Sequence, residues 1–181
     1  MEETQVKSLA DPTKLAPIDK KNDLLQVIVE TPRKSRNKFA FDPEQEIFVL
    51  KSVLPAGMVF PYDFGFLPRT KGDDGDPLDV LLLMDEPVYP GISVSARLIG
   101  VIEGEQADGK KKLRNDRLVA VSDTTHEYAR IKRMSDLPRH WIVELETFFV
   151  NYHDLEGKKY RLLGVKGPNT AMSLIKKSRK A

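Results

Sequence analysis

The stretch Asp73–Met84, DDGDPLDVLLLM, constrains this chain more than any other. Four carboxylates (Asp73, Asp74, Asp76 and Asp79) fall within seven residues, and an unbroken apolar run follows at once. Carboxylates held that close repel each other. A hard cation such as Mg²⁺ relieves the repulsion through their oxygens. Gly75 and Pro77 demand a tight turn, and Val80–Met84 reads as a short buried strand. The chain therefore carries a rigid acidic loop at the mouth of a core strand. On spacing alone two readings stand level. One is a solvated acidic turn. The other is a metal site, which needs the rigid support that Pro77 and the strand supply. A calcium loop of the EF-hand kind fails: counting from Asp74, Leu78 takes the third ligand position and Asp79 the place of the required glycine.

The rest of the composition narrows the class. A chain of 181 residues, 40% hydrophobic and 31% charged, suits one globular domain with a real core. With no cysteine there is no disulfide framework, thiolate chemistry or Cys-based zinc site. No apolar run approaches the length of a membrane span, and no secretion signal opens the chain, so a cytoplasmic location is expected. A net charge of +2 does not argue for nucleic acid. The basic cluster Lys176, Lys177, Arg179 and Lys180 reads as the solvated face of a terminal helix.

Residues 1–22, polar and with Pro12 and Pro17, read as an extended N-terminal arm, and residues 23–181 as a single domain. Leu24–Glu30 is a strand. Asn37–Asp42 and Ile47–Val53 form a hairpin. Leu54–Gly72 reads as a turn-rich loop whose aromatic rings are mostly core. Ile92–Ile102 is a long bent strand, Gly104–Asn115 a mobile Lys-rich loop, and Arg117–Val121 another strand. Pro138–Tyr152 is the clearest helix, with Trp141, Leu145, Phe148, Phe149 and Tyr152 on one stripe. Tyr160–Val165 is a last strand, and Asn169 caps a final helix carrying Ala171, Leu174 and Ile175. The fold class is α+β, mainly β: a small antiparallel barrel with helices outside.

The segment DGDPLD, Asp74–Asp79, resembles the Asp-x-Asp-Pro-x-Asp signature of soluble family I inorganic pyrophosphatases. The resemblance runs from about Gln26 to Gly167 through VIVETP, FPYDFGF, YPGISVSARLIGVI, RLVAV and FFVNYHDL. It implies an OB-like five-stranded barrel, Mg²⁺ as cofactor, pyrophosphate as substrate, and a homo-oligomer. It also implies roles: Asp74 and Asp79 as metal ligands, Asp76 as general base on a metal-bound water, and Glu30 reaching the metals through water. Lys38 matches a phosphate-binding lysine, Arg117 replaces the lysine at the leaving group, and Tyr152 matches a substrate-contacting tyrosine, a contact favoured over simple core by its polar tip. Asn115, with Asp116 beside it, falls in the second metal segment. Gln106 occupies the other aspartate's place there, and Glu105 or Asp108 could substitute.

The departures from the family pattern thin out the substrate shell and the second metal segment, Glu103–Arg117, which is the most altered. Lys51 stands where the family has arginine, which keeps the charge but loses the bidentate fork. Ala40 replaces a glutamate, Phe60 and Phe64 replace tyrosines, and His153 replaces a lysine. Thr147 and Asn151 stand where bacterial members place interface histidines. A silent relative, a hydrolase of larger polyphosphates or nucleotides, and a single-strand nucleic-acid binder are the rival readings. Against the last, the acidic loop would repel phosphates unless a metal intervened.

Overall fold

The computed structural model describes residues 11–179; the first half of the expected arm lies outside them. After a 3₁₀ turn at Pro12–Lys14, ten strands and two helices follow in order: β1 (Ile18–Asp19), β2 (Leu24–Thr31), β3 (Asn37–Asp42), β4 (Ile47–Val53), β5 (Asp63–Leu67), β6 (Leu78–Leu83), β7 (Ser93–Asp108), β8 (Lys111–Arg114), β9 (Arg117–Ser122), α1 (Arg139–Leu155), β10 (Lys159–Lys166) and α2 (Pro168–Ser178). Strands β2, β5, β6, β9 and β7 pair in that order, and β7 returns to β2, closing a five-stranded ring. Four seams of the ring are antiparallel, as expected, but β6 and β9 run parallel. A parallel pair needs a long crossover, and β7 with β8 supplies it. Strands β3 and β4 form a separate hairpin.

The side-chain period of two divides each barrel strand between two cores. Leu78, Val80 and Leu82 of β6 face inward with Val27 and Val29 of β2 and Leu118 and Ala120 of β9, and α2 adds Ala171 and Ile175. Leu81 and Leu83 face outward with Val119 and Val121, under Trp141, Leu145 and Phe149 of α1. Each fully buried leucine contributes about 2 kcal/mol. Asp79 and Arg117 share the outward parity and sit side by side where β6 and β9 begin, paired in register.

Four expectations need correction. Gly104–Asn115 is not a loose loop: β7 runs on to Asp108, turns at Gly109 (φ +58°), and pairs back through β8. Its lysines are the exposed charges that protect an edge strand. Within the aromatic Leu54–Gly72 stretch lies strand β5, which its bracketing prolines and Gly65 concealed. Strand β6 begins at Leu78, so Asp79 belongs to a strand rather than to the loop. The last helix is entered from Gly167 with Pro168 in its first turn, and Asn169 is inside it; proline needs no N–H there.

Gly65 is required by the ring closure. A Cβ there would sit 2.1 Å from the Ile28 carbonyl oxygen on the neighbouring strand. Gly65→Ala should therefore cost about 2–4 kcal/mol of stability, measured by urea unfolding. A loss within about 0.5 kcal/mol, typical of an unstrained surface site, would contradict this packing.

Candidate active site

The acidic loop is closed by its own backbone. The Gly72 amide donates to the Asp76 carbonyl at 2.7 Å, and Gly75 turns at φ +97°. Buried Thr70 staples the base, donating to the Leu67 carbonyl at 2.6 Å and accepting from the Leu78 amide at 2.9 Å. This loop walls a cleft of about 810 Å³ at one end of the barrel. Asp74, Asp76 and Asp79 line it on one side. Glu30, Lys38, Lys51, Asn115, Arg117 and Tyr152 also line it. An adjoining cavity of about 500 Å³ shares the wall Asp74, Pro77, Asp79 and Asn115.

Glu30, Lys38, Arg117 and Tyr152 are each held by a nameable contact. Glu30, near the end of β2, accepts from the Phe41 amide at 2.8 Å, while Thr31 exchanges hydrogen bonds with the Phe39 backbone. Those bonds fasten the β3–β4 hairpin to the barrel and carry Lys38 and Lys51 to the cleft. Burial pushes the Glu30 carboxyl up to about 7, against the pull of the Phe41 amide. The Lys38 ammonium lies 4.9 Å from the centre of the Tyr152 ring and donates to the Tyr152 hydroxyl. Arg117 is almost wholly buried. Its guanidinium rests 3.9 Å from the centre of the Phe149 ring and 3.7 Å from Asp79 Oδ2.

The Asp74 and Asp79 carboxyls are both raised above the ordinary range, chiefly by burial. Neighbouring carboxylates add to both shifts, and Arg117 and Lys38 oppose the one on Asp79. Among the described residues no three Asp, Glu or His side chains are already gathered around one point. Glu30, Asp74, Asp76 and Asp79 nonetheless bring four carboxylates to one cleft, and oxygen donors of this kind fit a hard dication.

The structure brings every expected site residue but one to the main cleft. Asp116 is the exception. It binds the Arg114 guanidinium (2.9 and 3.1 Å) and the Gly104 amide (3.0 Å), and it faces only the adjoining cavity. Gln106 does face the main cleft, accepting from Asn115 Nδ2 at 2.7 Å. Glu105 instead pairs with Lys112 and Arg161, each at 3.4 Å. The Tyr152 ring packs among Phe60 and Phe148 while its hydroxyl reaches the cleft, so it is both core and contact. Phe60 and Phe64 pack on each other and on Phe148 beneath. The sequence reading missed Glu156, Lys158 and Arg69 on the lining. Glu156 was within reach of it, since it lies one helical turn beyond Tyr152.

A closed five-stranded barrel thus carries at its mouth a cleft lined by aspartates, lysines and an arginine. The family model described as inorganic pyrophosphatase matches residues 27–181. Inorganic pyrophosphatases of Nostoc sp. and Synechocystis sp. are each 37% identical to this chain, covering 91% and 88% of it and 95% and 92% of their own lengths. The crystal structure of the inorganic pyrophosphatase from Thermus thermophilus superposes with a TM-score of 0.84 at 29% identity, covering 92% of this chain and 95% of its own. That from Neisseria gonorrhoeae gives 0.81 at 32%, with coverages of 91% and 94%. The chain belongs to the inorganic pyrophosphatase family.

His153 is buried at 2% exposure, stacked 4.9 Å from Tyr160, with Nδ1 2.8 Å from the Phe149 carbonyl. Burial pushes its pKa down to about 4. The unfolded chain, with an ordinary histidine near 6.5, therefore binds the extra proton between pH 4 and 6.5, so this residue's contribution falls as pH drops through that window. Wild type should lose about 3 kcal/mol more than His153→Gln across it, read from urea unfolding at several pH values. Parallel pH profiles for the two proteins would contradict a buried neutral imidazole.

Proposed function

We propose that this chain hydrolyses inorganic pyrophosphate to two phosphates, with Mg²⁺ as cofactor. The observation that carries the reading is the cleft itself, where Asp74, Asp76 and Asp79 face Lys38, Lys51 and Arg117. Asp74, Asp79 and Asn115, with Asp116 from the adjoining cavity, would hold the metal. Bound Mg²⁺ offsets substrate charge and makes water a better acid near neutral pH. Asp76 lies on the rigid turn before Pro77 and is the general base that takes the attacking water's proton. Glu30, near the end of β2, would reach the metal through water. Lys38 and Lys51 hold phosphate oxygens. Arg117, locked on the Phe149 face, meets charge on the leaving phosphate without first losing side-chain freedom. Tyr152 brings its hydroxyl to the cleft beside Lys38.

A cytoplasmic homo-oligomer goes with this reading, and a partner nucleic acid does not. No helix among the described residues is long and apolar enough to cross a membrane. The exposed Val143 and Val150, two turns apart on α1, offer a face for self-association. A second reading, hydrolysis of longer polyphosphates or nucleotides, is favoured only by the added cations Lys14, Arg69 and Lys158 around the cleft.

Phosphate release from pyrophosphate, tripolyphosphate and a nucleoside triphosphate, each with Mg²⁺, separates the two. Pyrophosphate should lead by at least about tenfold, the equivalent of one good charge-assisted contact. Chelation should abolish the activity and Mg²⁺ should restore it. A lead for the nucleotide, or activity indifferent to chelation, would contradict the assignment. Lys51→Arg should lower KM for pyrophosphate by about three- to tenfold, because guanidinium grips phosphate with two bonds. An unchanged KM would place Lys51 outside the substrate's reach.

A further inference from the structure

Glu156 follows the last residue of α1 and lines the cleft, yet the reaction above gives it no part. Its Oε1 accepts the Tyr152 hydroxyl proton at 2.9 Å and lies 3.9 Å from Lys38 Nζ. Its Oε2 lies 3.8 Å from Lys158. The direction of these bonds matters. Because Tyr152 donates its one proton to Glu156, its oxygen is free to accept from Lys38. One N–H of Lys38 is thereby occupied, and two remain for a phosphate. Lysine is otherwise a poor positioning group, with a four-carbon stem that must be immobilised before it can hold a ligand.

The surroundings of Lys38 show why a carboxylate is needed here. Burial lowers the pKa of its ammonium, and Lys51 adds to this; Glu156 is the foremost of the acids that oppose it, ahead of Asp79 and Glu30. On its own strand the next side chain of the same parity is Ala40, which also lines the cleft and brings no charge. The anchor therefore comes from the far end of α1.

We propose that Glu156 is a positioning residue: it fixes the Tyr152 hydroxyl as an acceptor for Lys38 and so aims the Lys38 ammonium at a substrate phosphate. The proposal rests on the reading of the cleft as a pyrophosphate site. In it Tyr152 holds a lysine through its hydroxyl and gives that proton to Glu156 rather than to the substrate. Glutamine at 156 keeps the acceptor for Tyr152 and loses the charge; alanine loses both.

The test uses the Mg²⁺-loaded protein and two readouts, steady-state hydrolysis of pyrophosphate and calorimetric binding of methylenediphosphonate, which cannot be hydrolysed. Glu156→Ala should raise KM and weaken analogue binding by about tenfold, with kcat changed less than about threefold. Glu156→Gln should fall between alanine and wild type. In a Lys38→Met background, Glu156→Ala should change neither quantity by more than about twofold, because the residue it acts through is gone. An equal, tenfold loss in that background would overturn the proposal, as would unchanged analogue binding in the single variant. A wild type that binds the analogue but does not turn over pyrophosphate would refute the functional reading alone; the binding series would still decide on Glu156.

Discussion

The parallel seam between β6 and β9 governs the site. It sets Asp79 directly beside Arg117 at the open ends of two core strands, each with its next residue already buried in the barrel. An acid and a cation placed this way cannot drift apart without breaking the ladder behind them. The guanidinium is then clamped against Phe149 of α1, which rests on the outer wall of the same strands. Their separation of 3.7 Å is a loose ion pair. It leaves the Asp79 carboxyl raised rather than satisfied. Two hydrophobic cores thus fix a charged pair whose electrostatics are incomplete, and that incompleteness suits a metal and an anionic substrate.

The remaining parts are hung on this frame. The acidic loop leads into β6 and is stapled by buried Thr70. The β3–β4 hairpin, outside the barrel ring, is fastened by Glu30 and Thr31, so Lys38 and Lys51 are placed by the end of β2. Helix α1 covers the outer wall and brings Tyr152 in at its last turn. Four separate elements therefore meet at one cleft, each anchored by backbone or core contacts rather than by the others' charges.

The acidic loop, the alternation of β3 and β4, and the stripe of α1 were readable because each obeys a local period. What escaped was set by distant partners. Strand β5 carries aromatic residues between Pro61 and Pro68, with Gly65 in its middle; only the close approach of β2 explains that glycine. The lysines of β8 look like loop residues until the edge of β7 supplies their hydrogen-bond partners. Asp116 and Asn115 are adjacent in the chain but turn to different sides, and nothing local says which one meets Arg114. Glu156 carries no motif of its own, and its meaning comes from Tyr152 one turn earlier and Lys38 across the cleft. The candidate residues were thus legible from the family pattern, whereas their partners were not.

The most direct check of the central claim is Mg²⁺-dependent phosphate release from pyrophosphate by wild type and by Asp76→Asn, across pH. The account expects hydrolysis in the wild type and a loss of at least about a hundredfold in the variant, the lower end of what a general base contributes. Asparagine is close to isosteric and leaves the loop's backbone bonds intact, so such a loss would reside in proton transfer. Hydrolysis that survives the substitution unchanged would contradict the account and move the chemistry away from the loop on which the cleft is built.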